Sequence, residues 1–401
     1  MVDTHKWILG VMLLGFIVLH VGIVNSDVSS EPVVAVYYYV WYGSDGRHWS
    51  DSNDTLVLFG DMPVIGFYSS MNTSVIEWQL GLIEDAGIDV LFVSWWGPRS
   101  YEDHAAQKLF SIISNGNYSV KAAILVEPYL HTERSDWYNE SFWSITLDYI
   151  MENYVEKYPN VYFRLNGKPL VLAFNPIGMT YKPNDNRFEI RIVGNDVDNA
   201  GYQDWDLWPD YLAPWVTLKD VELRVRRDGY VALTPRFDDR LFCIYSNRTG
   251  CDDRLVDPTY VAQAYIKQWE WVIEHKNEVK IIAIYSWNEY HERSMIEPHY
   301  DATAEIPGYT PYTIYNITKH YIQLLKKTGE TSPPSNTTTS WLAVDVGKIL
   351  FFIAALSFIT YYLFEIRHRK NFKTVVIGTI RSFYVEAKHV LEKLKSITKK
   401  K

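Results

Sequence analysis

The sequence predicts an α/β fold of the (β/α)8, TIM-barrel type followed by a single C-terminal transmembrane helix. Three observations carry the barrel prediction. Short apolar runs recur along the chain, helical patterns separate several of them, and about 300 residues hold eight such units with no low-complexity break. The runs are Val33–Val40, Val90–Val93, Ala122–Val126, Leu170–Phe174, Ile190–Val193, Tyr211–Ala213, Val231–Leu233 and Ile281–Tyr285. Each has strand length and apolar character. Helical spacing appears over Ser74–Ala86, His104–Ser114, Phe142–Val155, Pro258–His275 and Pro311–Lys326. Strand-helix alternation implies parallel strands joined by crossovers. Helical patterns between Asn175 and Thr234 are weak, and a doubly wound open sheet is the competing arrangement.

The barrel is expected to occupy residues 27–328. Residues 1–26 read as a signal peptide or signal anchor, because the apolar run Trp7–Val24 follows Lys6 and ends in small residues at Val24-Asn25-Ser26. A polar stalk, 329–341, contains TSPPSNTTTS and leads to an apolar segment, 342–364, about long enough for a tilted membrane span. The tail, 365–401, carries eleven Lys/Arg against three Glu, whereas the whole chain has a formal charge of −9. Everything ahead of the tail is therefore strongly acidic. Basic residues just past a span mark the cytoplasmic side, so the expectation is a single-pass membrane protein with its barrel extracellular or lumenal. Membrane lipid would be met through that one helix, and no nucleic-acid partner is expected.

Two further features suit an exported domain. Seven Asn-X-Ser/Thr sequences, at Asn53, Asn72, Asn117, Asn139, Asn247, Asn316 and Asn336, all lie between the two apolar segments. The only cysteines, Cys243 and Cys251, flank a turn-like YSNRTG, and a disulfide there suits an oxidising exterior. Two free buried thiols are the alternative.

A barrel builds its active site from whatever follows its strands. Here those segments are aromatic and acidic: Tyr39-Val40-Trp41-Tyr42-Gly43, Ser94-Trp95-Trp96-Gly97, Glu127-Pro128-Tyr129, Asn175-Pro176, Thr234 to Asp239, and Ser286 to Glu292. Aromatic faces beside carboxylates suit a sugar, which presents apolar C–H faces and many hydroxyls. Glycoside cleavage needs one carboxyl to protonate the leaving oxygen and another to assist at the sugar, and Glu289 and Glu292 can supply that pair. Positions three apart on a strand face opposite sides, so cooperation requires a bend after Trp287. Tyr42, Trp95, Trp96, Glu127, Tyr129, Trp287, Asn288, Tyr290 and His291 are the candidate substrate contacts around it. Only one of Trp95 and Trp96 is expected to face the site, since neighbouring strand positions point apart. Arg236, which can form an internal ion network with Asp238 and Asp239, and Glu297 stand in a second tier. Neither HExxH nor cysteine-ligand spacing is present, so neither metal nor cofactor is expected.

The segments YYYVWYG (37–43), IGFYSS (65–70), AGIDVLFVSWWG (86–97), VEPY (126–129) and above all WNEYHERSMIEP (287–298) resemble glycoside hydrolase family 99, the endo-α-mannosidase and endo-α-mannanase family with its glycosyltransferase-like relatives. The resemblance runs over most of residues 33–327. It implies a retaining barrel enzyme that cleaves within α-mannoside chains through the sugar's own 2-hydroxyl, with Glu289 as base toward that hydroxyl and Glu292 as acid/base toward the glycosidic oxygen. Tyr42, Trp95 or Trp96, Glu127 and Tyr129 would bind the sugar. The chain departs from the family around the second glutamate, where tryptophan and then Gly-Thr are common and Tyr290 and Arg293-Ser294 stand here. A catalytically inactive glycan-binding protein and a glycosyl-transferring enzyme are the alternative functions.

Overall fold

The computed structural model describes residues 31–49, 61–129, 139–174, 182–194, 203–211, 221–239, 243, 249, 261–301 and 309–327. The expected leader (1–26), stalk, span (342–364) and basic tail lie outside them. Among the described residues no helix is long and apolar enough to cross a membrane.

Eight parallel strands form the central sheet: β1 Val33–Tyr39, β2 Val90–Trp95, β3 Lys121–Val126, β4 Lys168–Phe174, β5 Glu189–Gly194, β6 Trp205–Asp206, β7 Tyr230–Leu233 and β8 Ile281–Ile284. The ladder runs β7-β8-β1-β2-β3-β4-β5-β6. Strand β8 sits in register beside both β1 and β7, with Ile281 opposite Val33 and Tyr230. Side chains complete the ring between β6 and β7. There Trp205 stacks on Tyr230 at 4.3 Å, and the Tyr230 hydroxyl donates to the Asp206 carbonyl at 2.7 Å.

Strand alternation sorts the core into two clusters. Val34, Val36, Tyr38, Leu91, Val93, Ile124, Val171, Ile282 and Ile284 face the helices, whereas Ala35, Tyr37, Tyr39, Phe92, Ala123, Leu125, Leu172, Ala283 and Tyr285 fill the barrel. Small alanines opposite large aromatics let the interior layers interdigitate. Burial of each large apolar side chain contributes roughly 2 kcal/mol.

Five helices are described: α1 Thr73–Ala86, α2 Tyr101–Asn115, α3 Glu140–Ile150, α4 Val261–Glu274 and α5 Thr313–Lys327, with a π-helical turn, Met151–Val155, extending α3. Their starts are chemically set. The side chains of Asn72, Ser100 and Asn139 accept from the backbone N–H of Ser74, Asp103 and Ser141, satisfying donors that the first turn leaves free. Helix α1 ends at Gly87, whose φ of 83° permits the left-handed cap. Helix α5 returns to α1 through Tyr315 and Lys319, both bonded to Asp85.

The sixth strand differs from expectation. Asp210–Tyr211 pairs antiparallel with Val221–Glu222, outside the barrel, and Trp205–Asp206 occupies the sixth place. A two-residue strand has no periodicity to read, while Tyr211-Leu212-Ala213 imitates a strand by composition.

Candidate active site

Strand β8 does not stop at its last ladder residue. The Trp287 N–H donates to the Tyr37 carbonyl at 2.7 Å, so the segment stays beside β1. The Asn288 side chain then clamps the end of β1, its Oδ1 accepting from Tyr39 N at 2.8 Å and its Nδ2 donating to Tyr39 O at 2.9 Å. The chain bends immediately afterwards. The Ser286 hydroxyl accepts from Glu289 N at 2.8 Å, Ser294 N donates to Glu289 O at 3.1 Å, and Ser286 N donates to Ser294 O at 3.0 Å. Arg293, at φ 52°, turns the segment in the left-handed region.

This turn brings Glu289 and Glu292 onto one cavity of about 340 Å³, to which the end of β3 adds Glu127. Tyr39, Trp41, Trp96, Phe174, Trp208 and Tyr285 supply its aromatic walls, with Leu125, Pro128 and Leu207 completing the lining. Every one of these residues sits at or beyond the C-terminal half of a strand. Three carboxyls thus share an apolar, aromatic chamber.

Their environments separate them. The Glu289 Oε1 accepts from His291 N at 2.8 Å and lies 3.4 Å from His291 Nδ1. Glu292 accepts from the Tyr285 hydroxyl at 2.5 Å, and Tyr39 donates in turn to Tyr285 at 3.2 Å. Burial, and then the negative charge of Glu289, push the Glu292 carboxyl well above the ordinary range. Glu127 accepts from Ser94 Oγ at 2.9 Å, and burial together with Glu289 pushes it up to about 8. Near neutral pH Glu127 therefore holds a proton that it can donate, and burial favours the acid form of Glu292.

Of the residues singled out in the sequence, Trp96, Glu127, Glu289 and Glu292 line the cavity. The others lie behind it. Tyr42 is fully buried, and its hydroxyl donates to Asn288 O at 2.8 Å while accepting from Tyr290 N at 3.1 Å. Trp95 faces the helices and donates from Nε1 to Asp103 at 2.8 Å. Tyr129 packs edge-on against Trp95, its hydroxyl 3.0 Å from Thr146 Oγ1, where only a residue without a side chain fits at Gly97. Trp287 is fully buried in the outer core. Tyr290 donates to Glu297 at 2.8 Å, and Glu297 is itself fully buried. His291 stands edge-on to Trp41, with ring centroids 5.9 Å apart. For these residues the structure gives supporting positions, because their polar atoms are already engaged or their rings enclosed.

Arg236 likewise does not reach the cavity. It bonds Asp61, Asp301 and the Arg293 carbonyl, while Arg293 bonds Asp61 at 2.7 Å, Asp238 at 2.9 Å and Asp301 at 3.1 Å. The ion network foreseen around Arg236 includes Asp238, reached through Arg293, and adds Asp61 and Asp301, so that it absorbs the charge of Arg293 beneath the turn. Although burial opposes it, the two guanidinium groups hold Asp61 well below the usual carboxylate range. Asp61, His299 and Asp301 place potential ligand atoms within 4.8 Å of one another, but Arg236 and Arg293 already neutralise both carboxylates. A cation there would face two guanidinium groups.

Sequence reasoning named the strand-end segments holding Trp41 and Ser94 without singling out either residue, and passed over Phe174, Leu207, Trp208 and Tyr285 as site residues. Strand parity points to Tyr285, since Ile281, Ala283 and Tyr285 share the inward face. Trp208 follows the two-residue β6 and carries no such signal. Cys243 is disulfide-bonded, and Cys251 lies outside the described residues. Asn72, Asn117, Asn139 and Asn316 are exposed, whereas Asn53, Asn247 and Asn336 lie outside the described residues.

Residues 46–188 match the model of Glycosyl hydrolase family 99. That stretch of the chain is similar to the family. The mouse protein named glycoprotein endo-alpha-1,2-mannosidase is 28% identical over 148 residues, which is 29% of this chain and 30% of the mouse protein. The barrel is similar to two structures of the family 99 endo-alpha-mannosidase from Bacteroides thetaiotaomicron. One, in complex with bis-tris-propane, has a TM-score of 0.54 at 18% identity, covering 74% of this chain and 97% of the other. The second has the same TM-score at 16% identity and covers 75% and 98%. At these identities the likeness establishes the TIM-like barrel. The family match includes Trp96 and Glu127 but stops before Glu289 and Glu292, so the turn rests on its own geometry.

Proposed function

We propose that this family 99 relative is a retaining, endo-acting glycoside hydrolase of α-mannoside chains, tethered to a membrane by its C-terminal segment and facing the exterior or an organelle lumen. The observation that carries the reading is the convergence of Glu127, Glu289 and Glu292 on one aromatic-walled cavity at the strand ends. The mannose ring stacks on Trp41 or Trp96, whose faces exclude water and fix the ring plane. Glu289 accepts the proton of the sugar's 2-hydroxyl as that oxygen closes on the anomeric carbon. Glu292 delivers its proton to the departing glycosidic oxygen, then takes a proton from the water that attacks the anomeric carbon, while Glu289 returns its proton to the 2-oxygen as that oxygen's bond to the anomeric carbon breaks. The high pKa of Glu292 suits its first role, and the bond from Tyr285 aims it. Glu127, protonated, donates to a ring hydroxyl. The four exposed Asn-X-Ser/Thr sites and the disulfide at Cys243 support an exported barrel.

The test is release of mannosides from a panel of α-mannans and N-glycans by the full-length detergent-solubilised protein. Wild type should release oligosaccharide with retained anomeric configuration, and Glu289→Gln or Glu292→Gln should lower kcat by roughly 10²–10⁴-fold. Binding of mannosides without any release would transfer the cavity to a binding role.

A further inference from the structure

The mechanism uses Glu289 but leaves Glu297, eight residues on, unexplained. Its carboxyl is fully buried, and the bonds it accepts come from neutral groups. Gln79 of α1 donates to Oε1 at 2.6 Å, while the hydroxyls of Tyr68 and Tyr290 both donate to Oε2, at 3.0 and 2.8 Å. Those two tyrosines reach the two chain neighbours of Glu289. Tyr290 follows it directly, and the Tyr68 hydroxyl accepts from Asn288 Nδ2 at 3.0 Å, the residue just before it. One carboxylate oxygen therefore holds the backbone on both sides of the proposed base. The Glu297 backbone N–H, donating to Trp287 O at 2.9 Å, ties the anchor to the same strand extension.

An oxygen that accepts two hydroxyl donors cannot be replaced by a group that itself donates. Burying a carboxylate among neutral donors is also costly, and burial pushes Glu297 up to about 7 even though its hydrogen bonds oppose the shift. A hydrocarbon would be cheaper for stability alone. We propose that Glu297 is a positioning residue, whose carboxylate holds Asn288 through Tyr68 and holds Tyr290 directly, and so aims Glu289 into the cavity. This rests on the assignment of Glu289 as the base. It also accounts for Tyr290, standing where the family commonly carries tryptophan, by the bond its hydroxyl makes.

The experiment compares wild type, Glu297→Gln, Tyr290→Phe and the double variant as full-length protein in detergent. The expected result is a kcat lowered about 10–100-fold in Glu297→Gln with KM within about 3-fold, since a misaimed base slows the chemical step more than binding. Tyr290→Phe should lower kcat about 3–10-fold alone and add nothing to Glu297→Gln, because both act through one oxygen. A kcat within about 2-fold of wild type in a folded Glu297→Gln protein overturns the proposal, as do fully additive losses. Should Glu297→Gln fail to fold, Tyr290→Phe and Tyr68→Phe decide the matter, unchanged kcat in both overturning it. If the wild type turns over no mannoside, the functional reading fails and crystal structures test the anchor separately. A Glu289 carboxylate displaced by about 1 Å or more in the Glu297→Gln or Tyr290→Phe protein supports it, and an unmoved carboxylate refutes it.

Discussion

Replacing Arg293 by methionine tests whether the ion network beneath the turn holds the active segment in place. Methionine keeps an unbranched chain of similar reach and meets the same left-handed backbone strain as arginine at φ 52°, so that strain cancels in the comparison. What is lost is one guanidinium bonded to Asp61, Asp238 and Asp301, all buried or nearly so. Arg236 still faces Asp61 and Asp301, but Asp238 loses its 2.9 Å bond. Removing one partner of a buried charge group costs roughly 3–5 kcal/mol, which in a barrel of this size lowers Tm by on the order of 5–10 °C. Adding Asp238→Asn removes a carboxylate left without that guanidinium and should restore about 1–2 kcal/mol. Thermal melts followed by tryptophan fluorescence read both values. An Arg293→Met shift below about 1 kcal/mol, or further loss in the double variant, refutes the reasoning.

Glu127 and Glu297 bind protons more tightly in the fold than their ordinary 4.5, up to about 8 and about 7. The native state therefore holds more protons than the unfolded one between pH 5 and 8. Stability should fall as pH rises through that window, by on the order of 3 kcal/mol from Glu297 alone, and Glu297→Gln should flatten the slope in denaturant titrations. Activity has its own alkaline limb, because the acid form of Glu292 is needed and is lost as pH rises through its elevated pKa. Trp41→Ala and Trp96→Ala should each raise KM about 5–100-fold by removing a stacking face, as measured in steady-state kinetics. Glycosidase digestion of protein from a secretory host should reveal glycans on Asn72, Asn117, Asn139 and Asn316. At Asn72 and Asn139 the glycan leaves the cap intact, since capping uses Oδ1 and the sugar attaches at Nδ2.

The barrel was legible because most strands are long enough to show both burial and parity. In β1, Ala35, Tyr37 and Tyr39 face in while Val34, Val36 and Tyr38 face out. Strand β6 was not, being two residues long beside a better imitation of a strand. Within the site, Glu289 and Glu292 were visible as polar residues after an apolar run, and the bend they require is made by Ser286, Ser294 and Arg293. The roles of Asn288, Tyr42 and Tyr290 were hidden for a different reason. Asn288 and Tyr290 meet β1 and its following loop, to which Tyr42 belongs, some 250 positions away in sequence, so no local pattern distinguishes a side chain that clamps a backbone from one that meets a ligand. Arg293 read as a charge beside the acid, and only tertiary structure shows it turned under the loop to Asp61.

A crystal structure of Glu292→Gln soaked with α-mannobiose bears most directly on the central claim. The proposed function places one ring against Trp41 or Trp96, its 2-hydroxyl about 3 Å from the Glu289 carboxylate, and the glycosidic oxygen at the residue 292 side chain. A disaccharide bound elsewhere, or one whose 2-hydroxyl points away from Glu289, would contradict it.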